Sequence, residues 1–122
     1  MNREMRPISS VLVSIDIDEV QRDWKSLLEV CFSPVERTEL AERHVRSTAG
    51  RLALKRAIVQ LLASDEDRGI TERDIVLTRL PNGRPGLVSV LGAPADSFVE
   101  KLFLSISHSK TTAHGLAVRQ ED

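Results

Sequence analysis

Apolar and polar residues alternate in short stretches of the chain, and this alternation predicts strands. Over 11–17 the valines and isoleucines fall on one face, whereas Leu12, Ser14 and Asp16 share the other. The same alternation predicts further strands over 74–80, 87–91, 102–107 and 113–118.

Helix signals lie between the predicted strands. Ser33, Pro34 and Glu36 have the identities of an N-cap, a first helical position and a capping-box partner. The stretch 36–63 has the three-and-four spacing of apolar residues that predicts a long helix, with a break near Ser47. Other predicted segments are short helices within 19–32 and over 93–101, a polar loop over 64–73 and an Asn-Gly turn over 81–85.

Strands arranged around one main helix favour an α+β fold of antiparallel strands. The length of 122 residues favours a single domain spanning 1–122. The two sides of the long helix are both apolar, so we expect it to be buried. Arg56 and Gln60 project onto one of these apolar stripes, and a buried guanidinium requires an acidic partner.

Composition narrows the class of protein. The formal net charge is −1 and aromatic residues are only 3% of the chain, which argues against a nucleic-acid partner. Cys31 is the single cysteine, so neither an intrachain disulfide nor a multi-cysteine zinc site can form. No apolar run of signal-peptide or membrane-spanning length is present, and we expect a cytoplasmic protein with no membrane partner.

Three segments carry candidate chemistry. Asp16 and Asp18 would lie on one strand face, where two carboxylates can hold magnesium or can simply be solvated. The second segment is a basic run without an acid, suited to an acidic protein or a phosphate ligand, or else a solvated helix face: Arg43, His44, Arg46, Arg51, Lys55 and Arg56. The third is a strand-to-turn junction whose hydroxyls and imidazole can meet a phosphate: Ser107, His108 and Ser109.

Together these segments resemble the holo-acyl-carrier-protein synthase family of phosphopantetheinyl transferases. The resemblance runs from about 13 to 118, in five short motifs that occur in the family's order: 14–20 (SIDIDEV), 31–36 (CFSPVE), 49–55 (AGRLALK), 82–85 (NGRP) and 104–109 (LSISHS).

The resemblance implies the fold of these transferases and transfer of the 4′-phosphopantetheine arm of coenzyme A to a serine of an acyl carrier protein, in fatty acid or polyketide biosynthesis. It also implies magnesium and a homotrimer with coenzyme A bound between subunits. The implied catalytic residues are Asp16, Lys55 and Arg56, and the implied metal ligands are Asp16 and Asp18. The implied coenzyme ligands are Arg51, Lys55, Ser107, His108 and Ser109, and the implied carrier-protein contacts are Arg22, Arg43 and Arg46.

This chain departs from the family at two polar positions. The family continues Lys-Glu-Ala-x-x-Lys, whereas Arg56 replaces the metal-binding glutamate and Gln60 replaces the phosphate-facing lysine. The family's glycine-rich turn is also missing at 62–65. One hypothesis is an active transferase, and the alternative is a degenerate member, a pseudoenzyme that binds carrier protein or coenzyme A without transfer.

The same departures leave two hypotheses for the charge at the site. In the first, Arg56 pairs with Asp16 or Asp18 and takes the electrostatic role of the metal. In the second, the two aspartates still hold magnesium, and Arg56 neutralises phosphate in place of the missing lysine.

Overall fold

The computed structural model describes residues 9–41, 43–63, 70–91, 93–94 and 101–120. Its elements in chain order are β1 (Ser10–Asp16), α1 (Ile17–Arg22), α2 (Trp24–Cys31), α3 (Pro34–Leu40), α4 (Val45–Ala63), β2 (Ile75–Arg79), β3 (Pro85–Val90), β4 (Ala93–Pro94), β5 (Lys101–His108) and β6 (Thr112–Gln120). A 3₁₀ turn, Glu72–Asp74, leads into β2.

Two antiparallel sheets of three strands surround α4. The first sheet has the order β1-β6-β5 and the second the order β2-β3-β4. One apolar cluster of the core joins α4 to both sheets, and a second joins α4 to β1, β6 and the first three helices. The mixture of helices and antiparallel strands confirms the α+β prediction, and the two clusters confirm a long helix buried on two sides.

The first sheet lies unusually close to α4 at Gly115 of β6. A Cβ atom at this position would lie 2.2 Å from the backbone nitrogen of Leu54 and 2.5 Å from the carbonyl carbon of Ala53. Because both neighbours are helix backbone, neither can move aside, and only glycine allows this approach.

The strand prediction over 11–17 is confirmed in its facing pattern but ends one residue early. Ile17 begins α1, and the carboxylate of Asp16 caps this helix by accepting a hydrogen bond from the Asp18 backbone N–H at 2.9 Å. The prediction that Asp16 and Asp18 share one strand face is therefore wrong, since Asp18 belongs to the first turn of a helix.

The predicted long helix is divided into α3 and α4. The capping box at Ser33 and Glu36 is present at the start of α3, as predicted. Helix α3 ends at Leu40 and α4 begins at Val45, so the break comes before Ser47. The His44 ring accepts a hydrogen bond from the Arg46 backbone N–H at the start of α4.

The remaining predictions are confirmed in part. The Asn-Gly turn is present, with Gly83 at a φ of 87°. The prediction of a helix over 93–101 is wrong at both ends, because 93–94 form β4 and 101 begins β5. The residues between them, 95–100, lie outside the described residues. The predicted loop at 64–69 also lies outside them, and 72–74 forms the 3₁₀ turn. In the ranges that the structure describes, no helix combines the length and apolar character needed to cross a membrane.

Candidate functional site

A cavity of about 200 Å³ opens where the start of α4 faces the β2–β3 hairpin and the end of β5. Its walls carry three guanidinium groups, one imidazole and two hydroxyls. The lining residues are Arg43, Ser47, Arg51, Thr78, Arg79, Gly83, Pro85, Ile106 and His108. With no carboxylate among them, the cavity is suited to an anion.

Arg51 is the buried cation of this cavity. Its side chain is 8% exposed, and its Nη2 donates to Glu39 Oε1 at 2.6 Å. Glu39 Oε2 in turn accepts a bond from the Thr78 hydroxyl at 3.4 Å. The other terminal nitrogen of Arg51, Nη1, is buried and has no hydrogen-bond partner in the described residues. An unpartnered buried donor is costly, and because Arg51 also lines the cavity, its guanidinium favours an acceptor bound there.

His108 lies at the end of β5 beside α4. Its Nε2 lies 3.0 Å from the Arg46 carbonyl oxygen, and because a carbonyl only accepts, Nε2 carries the proton. Gly50 makes this packing feasible, since a Cβ atom there would lie 2.8 Å from His108 Nε2 and 2.6 Å from Ile106 Cγ2. The AGR segment of the sequence therefore places a glycine against the imidazole and an arginine in the cavity.

The two serines that flank His108 do not line the cavity. Ser107 lies on the opposite face of β5, because successive strand residues alternate between faces. The Ser109 hydroxyl accepts from the Thr112 backbone N–H at 3.1 Å and closes the turn between β5 and β6. Neither serine therefore lies beside His108 in the cavity wall, and their contact with a coenzyme stays a prediction.

Lys55 has no solvent-exposed surface. Its ammonium donates to Glu36 Oε1 at 2.5 Å and to the Cys31 carbonyl at 2.8 Å, and lies 4.3 Å from the centre of the Phe32 ring. Burial lowers the pKa of Lys55, and the Glu36 carboxylate opposes that effect. The donors of Lys55 are held inside the core of this chain, and its contact with a coenzyme stays a prediction.

Arg56 and Gln60 are not buried as the helical projection predicted. Gln60 is exposed, and the Arg56 side chain is 39% exposed, with its Nε 3.7 Å from Glu72 Oε2. No ion pair joins Arg56 to Asp16 or Asp18 in the described structure, so that hypothesis is wrong. The buried cations of α4 are Arg51 and Lys55 instead.

The other predicted residues are dispersed. Asp16, Asp18 and Arg22 lie exposed at the two ends of α1, and Arg46 is exposed near the start of α4. Arg43, predicted to contact a carrier protein, lines the cavity. The structure therefore brings Arg43, Arg51 and His108 together and leaves the α1 residues outside their cavity.

Sequence reasoning missed several cavity residues. Arg79 and Thr78 come from β2, and Glu39, which holds Arg51 in place, comes from α3. Arg51 and Glu39 are 12 residues apart and belong to different helices, so no spacing rule links them. The one available signal was the long basic run, whose charge needs acidic partners elsewhere in the chain.

Comparison with known proteins supports the resemblance. No protein-family model matches the chain. The holo-[acyl-carrier-protein] synthase of Maridesulfovibrio salexigens is 34% identical, over 89% of this chain and 97% of that protein. The crystal structure of Helicobacter pylori holo-[acyl-carrier-protein] synthase in complex with coenzyme A superimposes with a TM-score of 0.72 and 25% identity, over 91% of this chain and 99% of that one. The crystal structure of a holo-(acyl-carrier-protein) synthase from Bacillus anthracis superimposes with a TM-score of 0.77 and 21% identity, over 94% of this chain and 97% of that one. This similarity supports the fold.

The fold and the similarity to these enzymes place the protein in the phosphopantetheinyl transferase class. The similarity to the Maridesulfovibrio salexigens protein, over nearly its whole length, identifies one family within this class. This chain belongs to the holo-[acyl-carrier-protein] synthase family.

Proposed function

We propose that this protein transfers the phosphopantetheine arm of coenzyme A to a serine hydroxyl of an acyl carrier protein. In this reaction the serine oxygen bonds to phosphorus, the serine proton leaves, and the phosphorus–oxygen bond to 3′,5′-ADP breaks. The observation that carries the proposal is a cavity whose described lining residues include three arginines and His108 and no carboxylate. One of these arginines, Arg51, has a buried Nη1 without a partner in the described residues.

The cavity is suited to a phosphate group of coenzyme A. Arg51 is fixed by Glu39, so its free donors are already oriented before a ligand arrives. Arg43 and Arg79 add two further positive charges to the wall, and His108 stands at its edge. The Helicobacter pylori relative is in complex with coenzyme A, which supports the same class of ligand here. Preorganised cations of this kind reduce the cost of binding and orienting a polyanion.

The carrier protein is proposed to contact exposed basic residues outside this cavity. Arg46 follows His44 at the start of α4, and Arg22 ends α1; both are exposed. We assign Arg43 to the coenzyme instead, because it lines the cavity. Exposed arginines of this kind attract an acidic partner and raise its association rate, more strongly at low salt.

A homotrimer is part of the proposal. The face of the first sheet that points away from α4 carries apolar residues, with Leu12 64% exposed and Phe103 37% exposed. Leu12 is directly opposite Leu116 in the β1–β6 register, so the apolar residues adjoin one another across strands. Contact between copies of the chain would remove this face from water.

The direct test is transfer itself. We would mix the protein with coenzyme A, Mg²⁺ and an apo carrier protein, and measure the mass of the carrier by intact mass spectrometry. The expected result is the addition of one phosphopantetheine arm. Binding of coenzyme A without addition to any carrier would contradict transfer and favour the degenerate family member.

The cavity is tested with two variants. Arg51→Gln removes the buried donor. Arg79→Gln removes an exposed charge of the cavity wall, and the Arg79 side chain makes no hydrogen bond within the described residues. Each should weaken coenzyme A binding roughly tenfold, the effect of one charge-assisted hydrogen bond. Lys25→Gln on α2, an exposed charge outside the cavity, is the matched control and should bind as the unmodified protein does. Equal affinities in all variants would contradict the cavity assignment.

A further inference from the structure

Magnesium is the metal that the family resemblance implies, and the residues of this chain fit it poorly. Magnesium is held by one or two carboxylates together with substrate phosphates. Within the described ranges, no group of three or more histidine, cysteine, aspartate or glutamate side chains is placed to hold a metal. Of the two implied ligands, Asp18 lies in the first turn of α1, and Arg56 stands where the family has its metal-binding glutamate.

One oxygen of the Asp16 carboxylate is already engaged in a hydrogen bond. Its Oδ1 accepts the Asp18 backbone N–H at 2.9 Å and so caps α1. Asp18 itself lies in the first turn of that helix, not beside Asp16 on a strand. The geometry that would have made these two aspartates a strand-face metal pair is therefore absent from the described structure.

Arg56 has the opposite character to a metal ligand. It replaces a negative charge with a positive one, and a guanidinium repels a divalent cation while attracting the phosphates that the cation would otherwise bridge. Its ion pair to Glu72 is long, at 3.7 Å, and uses Nε alone. No hydrogen bond within the described residues engages its two terminal nitrogens, and the side chain is partly exposed.

We propose that Arg56 supplies the positive charge that contacts the diphosphate of coenzyme A, so that coenzyme binding in this protein does not require a divalent cation. The proposal rests on the proposed function, because it concerns the same ligand. A partly exposed arginine held by one weak ion pair can exchange that partner for a diphosphate at little cost, since exposed ion pairs contribute little to stability. The planar guanidinium then matches two phosphate oxygens at once.

The test is calorimetric titration of coenzyme A into the unmodified protein, with Mg²⁺ and with EDTA. We expect equal affinity in both buffers, within about twofold. Arg56→Gln should bind roughly tenfold more weakly in either buffer. Arg56→Glu should also bind weakly in EDTA and recover affinity when Mg²⁺ is added, because it restores the carboxylate that a metal needs.

Two further variants keep the result interpretable. Lys25→Glu makes the same change of charge on α2 and should leave binding and its magnesium response unchanged. Glu72→Gln removes the competing carboxylate and should tighten binding, by up to about fivefold. Circular dichroism and thermal melting check that each variant is folded.

The failure of this inference differs from the failure of the proposed function. Coenzyme A that binds the unmodified protein only with Mg²⁺, or binds Arg56→Gln as tightly as the unmodified protein, would overturn the role of Arg56 and leave the proposed function intact. No binding by the folded, unmodified protein in either buffer would overturn both.

Discussion

Glu36 has no solvent-exposed surface, yet its carboxylate connects three parts of the fold. Oε1 accepts the Ser33 backbone N–H at 3.0 Å and the Lys55 ammonium at 2.5 Å. Oε2 accepts the Leu77 backbone N–H at 3.0 Å, beside the bulge in β2. A charge this deeply buried is tolerated because every oxygen is hydrogen-bonded and a cation is adjacent.

Lys55→Met should destabilise the protein by about 3 kcal/mol, because it leaves the Glu36 carboxylate buried without its cation. The double variant with Glu36→Gln removes both charges and should recover a large part of that loss. The free energy of unfolding in urea measures both effects. Strict additivity of the two single variants would show that the pair is not coupled.

Cys31, the single cysteine of the chain, lies beside the Glu36–Lys55 pair, since its carbonyl accepts from Lys55. It is buried, and burial raises the pKa of its thiol, with the charge of Glu72 acting in the same direction. Both effects suppress the thiolate that alkylating reagents attack.

We therefore expect Cys31 to react with a thiol reagent on the order of 100-fold or more slowly in the folded protein than in urea. A Ser26→Cys variant adds an exposed thiol on the same helix, and it should react rapidly in the folded state. Comparable rates at both cysteines would contradict the burial of Cys31.

At the scale of elements, α4 determines how closely the first sheet can pack. Gly115 meets helix backbone, whereas Gly50 meets the ends of two side chains, Ile106 and His108. Side-chain ends can rotate away and helix backbone cannot, so the two glycines are not equivalent.

Gly115→Ala should therefore cost more than about 2 kcal/mol of unfolding free energy. Gly50→Ala should cost less, because the gain of about 1 kcal/mol in helix propensity offsets part of the clash. Thermal and urea unfolding of the two variants give the ranking. A greater loss from Gly50→Ala would contradict the close approach of β6 to α4.

Local signals were readable from the sequence where neighbouring residues determine the structure. The capping box at Ser33 and Glu36 and the alternation in β1 are of this kind. The end of β1 was not, because Asp16 fits both a continuing strand and a helix N-cap, and only the tertiary context chooses. Helical periodicity also misplaced Arg56, because a helix that is apolar on most sides gives a weak direction for the core.

The candidate site was predictable only in part. Arg43 and Arg51 belong to the basic run and His108 to the strand-to-turn junction, and the family motifs also contain Arg51 and His108. Their cavity partners come from β2 and α3, and the burial of Lys55 follows from its pairing with Glu36, 19 residues away. Contacts between separate elements of this kind leave no periodic trace in a single sequence.

At the scale of the whole molecule, the outer face of the first sheet is the surface that the proposed assembly would bury. Ser14 also lies there, and its hydroxyl is 2.8 Å from His114 Nδ1 across the strands. A hydrogen-bonded polar pair surrounded by exposed apolar side chains is more typical of an interface between copies of the chain than of a solvent-exposed surface.

Leu12→Asp should convert the proposed trimer to monomers, because it introduces a charge into the contact. Light scattering should then give one chain mass of 13.6 kDa in place of three. Val88→Asp, at a 45% exposed position in β3 of the other sheet, is the matched control and should stay assembled. A Leu12→Asp variant with unchanged mass would contradict this face as the interface.

The carboxylate of Glu36 also has a consequence for the order of folding. It joins Ser33 to Leu77, and its bond to Leu77 links two residues that are 41 positions apart in the chain. Such distant contacts form late, because the entropy of loop closure opposes them until local structure exists. We therefore expect the docking of the β2–β3 hairpin against α3, which brings Arg79 and Thr78 to the cavity, to be a late step of folding.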